Sequence, residues 1–329
     1  VKKGSASAVL ALSLSWFLLQ VGCAGAPNVR EDATMHVTGE LSVLQTFGGF
    51  TEATAMSPDR IGNLYVVDRG TSSVIKFGST GDSLRSAGGF GRDHFQFDQP
   101  LDIDARQTNN IFVADYGNHR VEQYSRELSY LATLYTREDP NENLRFGYPA
   151  SIALEDAGNL YLIDCENDRV LKATPDFRID RVIGGYTTAS RPDAVLHKPR
   201  SLTVDRYNDL TVLDNAGFKL VTFDNLGNPL ASRTLGTAAI RIRAFGDTIY
   251  VLPEIATRSG LEIGLYDSRT LQPRGVWTAS SELLPVGKLN DRMDATPIKG
   301  RVVDIISQSG WVLLLGHFNV VRYKFKSLN

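Results

Sequence analysis

The chain has 329 residues, 9% aromatic and 22% charged, enough to bury a substantial core as one domain. Its 35 basic residues face 37 acidic ones, a net charge of −2, which argues against a nucleic-acid footprint. The two cysteines, Cys23 and Cys165, exclude a disulfide framework, and acylation of Cys23 would exclude any disulfide.

At the N-terminus, Lys2-Lys3 precede an apolar run from Val9 to Val21, and Gly22-Cys23-Ala24 follow. A charged region, a short apolar core and a small residue before cysteine predict a signal peptide over residues 1–22. The run is too short to span a bilayer comfortably as a helix. Leu18 to Cys23 resembles a bacterial lipobox, which implies lipidation of Cys23, although Gln20 stands where a leucine is expected. The alternative is cleavage after Ala24-Gly25-Ala26, with Pro27 disfavouring it, giving a soluble periplasmic or secreted protein. Residues 23–38 then form the lipidated cysteine and a flexible polar tether. Ala24 is not the aspartate that retains such lipoproteins at an inner membrane, which favours the outer membrane.

Beyond residue 39 one tract recurs. Asn63 to Asp68 returns as Asn110 to Asp115, Asn159 to Asp164 and Asp209 to Asp214, about 50 residues apart, the signature of stacked supersecondary units. Each tract is apolar nearly throughout and is followed by a turn and a second short apolar run, a β-hairpin covered on both faces. A further strand precedes each hairpin, over Ala53–Ser57, Leu101–Asp104, Ser151–Leu154 and Ser201–Val204, three of them after a proline. An outer strand follows, ending twice in a double glycine and an aromatic, at Phe90 and Tyr186. Four strands per unit make a propeller blade.

Two degenerate copies complete the count, Asp247 to Leu252 with Leu261 to Tyr266, and Trp311 to Leu315 with Asn319 to Tyr323. The last lacks an outer strand, and Glu40 to Phe50 reads like one. The predicted fold is therefore all-β, a six-bladed β-propeller of four-stranded antiparallel blades over residues 39–329. Its ring is closed by an N-terminal strand that completes the last blade and removes an open sheet edge.

Asp115-x-x-Asn118-x-Arg120-Val121, its copy Asp164-x-x-Asn167-x-Arg169-Val170, the Gly88-Gly89-Phe90 ending and Phe97-Asp98-Gln99-Pro100 resemble NHL-repeat six-bladed β-propellers, here of a bacterial lipoprotein type. The resemblance is good over residues 50–224 and faint over 225–329. It implies a fold more than a function, because this superfold hosts enzymes, receptors and scaffolds. Asp93-His94-Phe95 through Gln99-Pro100 is similar to peptidyl-hydroxyglycine amidating lyases, in which a histidine after the blade-opening proline ligates zinc. Here those places hold Leu101, Ala150 and Arg200, and a catalytic zinc would lack its ligands. The Asn-Gly-Leu signature of gluconolactonase-type propellers is absent as well.

No zinc-binding, phosphate-loop or nucleophile-elbow motif occurs. No catalytic residue, metal ligand or cofactor is assigned, and a metal in the channel is left open. Asp68, Asp115, Asp164 and Asp214 are expected to accept amide hydrogen bonds in turns. Cys165 reads as a small residue tolerated at a turn. His36, His94, His119, His197 and His317 read as scattered surface histidines. The loop face offers Arg69, Phe95, Tyr116, His119, Arg120, Arg169, Phe218 and Lys219 as binding candidates, since arginine and aromatics are enriched at interfaces. Phe97 and Tyr148 are expected to pack internally, and the stretch 278–300 is the most individual loop. The function these readings favour is an envelope-anchored binding or scaffolding module. It would recognise an envelope protein or glycan around the central channel, would be attached to a membrane by its lipid and would bind no nucleic acid. A metal-dependent lyase or lactonase-like hydrolase and a small-molecule sensor are the alternatives.

Overall fold

The computed structural model describes residues 41–106, 110–187, 191–257, 260–280, 301–308 and 311–325. Cys23, the signal peptide, the tether and residues 281–300 lie outside them. Residues 278–280 continue the strand Pro273–Ser280 instead of opening a loop, and Trp277 within it is buried in the core.

The described strands form six four-stranded antiparallel sheets. Blade 1 runs Ala53–Pro58, Leu64–Asp68, Ser73–Phe77 and Ser83–Gly88 from inside to outside. Blade 2 runs Pro100–Asp104, Asn110–Asp115, Arg120–Ser125 and Tyr130–Leu134. Blade 3 runs Pro149–Leu154, Leu160–Asp164, Arg169–Ala173 and Ile179–Ile183. Blade 4 runs Ser201–Val204, Leu210–Asp214, Lys219–Phe223 and Pro229–Thr234. Blade 5 runs Ala239–Phe245, Thr248–Pro253, Gly260–Asp267 and Pro273–Ser280. Blade 6 takes Val302–Gln308, Trp311–Gly316 and Val320–Phe325 from the C-terminal end, and Leu41–Phe47 supplies its outermost strand. Leu41 pairs with Phe325 and Phe47 with Val320, so the expected ring closure forms.

The core lies between the blades. Second strands such as Leu64–Asp68, Leu160–Asp164 and Leu210–Asp214 are buried at every position, because each sheet has a neighbour on both faces. Tyr65 and Val67 of blade 1 pack with Ile103, Ile111 and Tyr124 of blade 2. Tyr161 and Ile163 of blade 3 pack in the same way with Leu202, Val212 and Phe223 of blade 4. Each such fully buried side chain contributes about 1.5–3 kcal/mol relative to exposure.

The inner strands share one irregularity. In blades 1, 2, 5 and 6 one residue of the inner strand has no partner on the second strand, at Thr54, Leu101, Ile240 and Val303. In blade 3 the same break falls between Pro149 and Ile152, around Ala150. Such bulges bend a strand and re-aim a side chain, often beside a functional site.

Candidate functional site: the channel mouth

The bulged residues Thr54, Leu101, Ala150, Ile240 and Val303 all line one cavity of about 470 Å³ at the start of the inner strands. Blade 4 has no bulge and places Arg200 there. The positions where the lyase pattern would put imidazoles, Leu101, Ala150 and Arg200, therefore do face the channel mouth. They bring two apolar side chains and one guanidinium. Among the described residues no group of three or more His, Cys, Asp or Glu is arranged to hold a metal ion.

The floor of the cavity is a buried ionic cluster. The inner strands of blades 2, 5 and 6 carry Asp102, Arg241, Arg243 and Asp304, all buried. Arg243 donates to Asp304 from Nε at 3.0 Å and NH2 at 2.6 Å, and to Asp102 from NH2 at 3.1 Å. Arg241 contacts Asp102 at 3.1 Å and donates to the Thr54 carbonyl at 2.8 Å. The carboxylates are further satisfied by neutral donors. Asp102 accepts from the Ser151 hydroxyl and the Ile152 amide, and Asp304 from the Met56 and Ile305 amides. Burial opposes ionisation of Asp102, but Arg241 and Arg243 outweigh it and hold its carboxyl below the usual range. The same two carboxylates outweigh burial at Arg243 and push its pKa up. Two acids and two guanidiniums cancel, so the plug that spans the ring here is neutral.

The wall is built by the crossover loops and by the turns after the second strands. Arg69 donates Nε to Glu52 at 3.1 Å, and its NH2 group closes a second, very short contact to the same carboxylate. That pairing holds the Glu52 carboxyl below its usual range. Arg200 donates to the Ala239 carbonyl at 3.1 Å and to Glu254 at 3.3 Å, and Arg301 reaches the same Glu254 at 3.5 Å. His317, Tyr116 and Cys165 complete the lining. Burial holds the His317 imidazole below its usual pKa, with Arg301 and Arg69 acting in the same direction against Glu52. Burial, then Asp164 and Asp168, push the Cys165 thiol up to about 12, so it is not a nucleophile at neutral pH.

The mouth also stores backbone strain. Gln99, Tyr148 and Lys198 stand directly before Pro100, Pro149 and Pro199 with φ of 53°, 55° and 53°. A left-handed non-glycine residue costs about 1–3 kcal/mol and persists where its surroundings over-determine it.

The predicted site residues separate into two groups. Arg69 and Tyr116 converge on the cavity. His119 lies on the adjoining rim, its Nδ1 accepting from Arg137 at 3.2 Å and from the Tyr148 amide at 3.3 Å. Those bonds require a neutral imidazole, in agreement with burial and Arg137 lowering its pKa. Tyr148 itself departs from expectation. It is not packed inside but 38% exposed, tilted against Tyr116 with ring centres 5.1 Å apart. Phe97 is buried as expected, against Tyr124. Phe95 and Phe218 are exposed but do not line the cavity.

Arg120 and Arg169 do not crown the loop face. Arg120 donates to Asp115 at 2.8 Å and to the carbonyls of Arg92, Asp93 and Gln96, and is buried. Arg169 donates to Asp164 at 2.8 Å and to the Arg145 carbonyl. Lys219 is turned aside likewise, onto the Asp193 carbonyl at 2.7 Å. The recurrent aspartates organise these turns. Asp68, Asp115, Asp164 and Asp214 each accept the amide 17 positions upstream, from Thr51, Asp98, Gly147 and His197, and so tie each crossover to its own hairpin. Asn118 and Asn167 add side-chain bonds of 2.8 Å to Asp115 and Asp164. The repeated Asp-x-x-Asn-x-Arg pattern is thus a turn-building device.

Comparison with known families agrees with the propeller fold. The profile described as "NHL repeat" matches residues 97–124, from Phe97 through the third strand of blade 2. Three of the four strands of blade 2 thus match the NHL repeat. The chain is 26% identical over 178 residues to human NHL repeat-containing protein 3, covering 50% of this chain and 49% of that one. It is 27% identical over 192 residues to the mouse protein of the same name, covering 53% of each. The chain thus spans about half the length of the curated relatives it matches. Among solved structures, a streptogramin B lyase superposes with a TM-score of 0.61 at 13% identity, over 88% of this chain and 98% of that one. A nidogen/laminin complex superposes with a TM-score of 0.53 at 15% identity, over 69% and 80%. At these identities the likeness is one of fold.

The sequence reading missed Asp102, Arg241, Arg243, Asp304 and Glu254, and placed His317 among scattered surface histidines. A signal for the plug was present in Asp102-Ile103-Asp104 and Arg241-Ile242-Arg243. Charged residues two apart on a strand share one face, and the apolar residue between them faces the next blade.

Proposed function

We propose that the chain is an exported, lipid-anchored binding module, whose NHL-type propeller recognises an envelope protein or glycan with the loop face around its channel mouth. The observation that carries this reading is the cavity at the channel mouth. It is large enough for part of a ligand, it is walled by side chains from the blade crossovers, and the Asp102–Arg243 pair spans the ring beneath it. Arg69, Tyr116 and the exposed Tyr148 give that mouth the residue types common at recognition surfaces. A fold neighbour solved as a nidogen/laminin complex is in keeping with protein recognition by this architecture. Anchoring rests on Lys2-Lys3, the Val9 to Val21 run and Cys23, all outside the described residues. Two or more acyl chains would hold the module firmly, at about 0.8 kcal/mol per buried methylene.

Two experiments test the reading. Labelled palmitate should enter the native protein and not Cys23→Ser, and the variant should leave the membrane fraction. Crosslinked affinity capture of the tagged full chain from its own membranes should return a stoichiometric envelope component. An unlabelled, soluble native protein would contradict the anchor, and an empty capture would contradict the binding module.

A further inference from the structure

We propose that the channel mouth is an oxyanion site, taking a small organic ligand that bears a carboxylate, sulfate or phosphate. Arg200 and Arg69 grip the anion, and Tyr116 packs against its carbon skeleton. The inference rests on the mouth being a binding site and adds the chemistry of what it binds.

The charge balance of the mouth is the first support. The plug is internally neutral, and Arg69 is matched by Glu52. Arg200 and Arg301 are left sharing a single carboxylate, Glu254, at 3.3 and 3.5 Å. The buried Asp68 carboxylate beside Glu52, which accepts three backbone amides, balances the wall as a whole, so the excess of guanidinium is local to Arg200 and Arg301, with His317 held toward its neutral form by its lowered pKa. An anion completes this set, whereas a cationic ligand meets repulsion.

Position is the second support. Arg200 occupies the one mouth position of the six that carries a charge, opposite Thr54, Leu101, Ala150, Ile240 and Val303. Its guanidinium is held in place by the Ala239 carbonyl and Glu254, so little rotamer freedom remains to be lost on binding. Beneath it, Arg241 lines the floor from a buried position, and its Nε has no hydrogen-bond partner. Charges in such desolvated ground act over a lower effective dielectric than at an open surface, which strengthens their pull on an anion.

The shape of the site supplies the third support. Leu101, Ala150, Ile240 and Val303 give the cavity apolar sides, and Tyr116 gives it a ring face. A cavity of about 470 Å³ lies within the usual range of about 300–1,000 Å³ for small-ligand sites. A bare inorganic ion would leave most of that volume and all of the apolar wall unused. An organic acid uses both.

The test is calorimetric titration of the full chain in detergent with glucuronate, its neutral twin glucose, inorganic phosphate and inorganic sulfate, at matched ionic strength. Glucuronate is expected to bind one to one, at least about tenfold more tightly than glucose, and to weaken as chloride rises. Arg200→Ala should weaken it about tenfold or more, and Arg69→Ala serves the same purpose if the first variant does not fold. Arg178→Ala, which removes an exposed guanidinium paired with Asp176 in a turn of blade 3, should change nothing. Glucuronate outbinding phosphate and sulfate would assign a carboxylate, and the reverse order a phosphoryl or sulfuryl ligand. Binding by none of the three anions, or binding untouched in both arginine variants, would overturn the inference. Equal binding of glucose, abolished by filling the mouth with Ala150→Trp, would overturn the anion chemistry while leaving the mouth a binding site.

Discussion

Asp102 of the second blade and Arg243 of the fifth meet at 3.1 Å, although the two strands stand on opposite sides of a six-bladed ring. No contact between neighbouring sheets could make that pair. It spans the channel, and Asp304 of the sixth blade joins it through the same guanidinium. Most of the ring is held by nearest-neighbour packing, and here a polar cluster links non-adjacent blades directly.

Removing one member of that cluster should be costly, because it leaves a buried charge without its partner. Asp102→Ala or Arg243→Met is expected to destabilise the propeller by about 3–5 kcal/mol, with a non-additive double variant. Urea unfolding of the two single variants and the double variant measures it. Strictly additive losses would mean that the two residues do not act as a pair.

Acid should act on the same group. Arg241 and Arg243 hold the folded Asp102 carboxyl below its ordinary value of 3.8. The stability it brings is complete above that ordinary value and is lost as pH falls through the lower folded one. Asp102→Asn removes this dependence. Its thermal midpoint should therefore fall less steeply than that of the wild type below about pH 4. Parallel curves would place the acid sensitivity elsewhere.

The turn arginines offer a prediction opposite to the one that a place on the loop face suggests. Arg120 and Arg169 satisfy buried carboxylates and loop carbonyls, so replacing them damages the fold and not a recognition surface. Arg169→Ala is expected to cost about 1–3 kcal/mol, as an unpaired Asp164 would, while the affinity of the surviving folded protein stays unchanged. Denaturant midpoints and a binding titration on one sample separate the two effects.

How far the sequence led follows from what repetition can encode. The hairpin tracts ending in Asp68, Asp115, Asp164 and Asp214 recur because every blade needs the same apolar strands and the same aspartate-tied crossover, so blade number and ring closure were legible. The site depends on what does not recur. Asp102, Arg241 and Asp304 occupy equivalent strand positions in different blades, and with Arg243 they come together only because the ring closes. The sequence also gives no measure of a turn residue's depth. Arg120 and Arg69 follow similar aspartates, yet one is drawn into its crossover and the other lies on the cavity wall.

Cys165 provides a local probe of the cavity. With its pKa raised from 9.0 to about 12, the thiol has about a thousandfold less thiolate than a free cysteine near neutral pH. Greater intrinsic nucleophilicity at high pKa offsets part of this, leaving reaction with iodoacetamide about 50-fold slower. Timed alkylation at pH 8, followed by mass spectrometry, checks the rate. Labelling as fast as that of a free thiol would show that burial does not hold the thiol protonated.

The most direct measurement is crosslinked capture by the full-length tagged protein from its native membranes, run beside Ala150→Trp, which places an indole in the mouth without touching the plug. A ligand or partner is expected to be recovered with the wild type and lost with the variant, at an unchanged thermal midpoint. Equal recovery with both proteins would place recognition away from the channel mouth and contradict the proposed site.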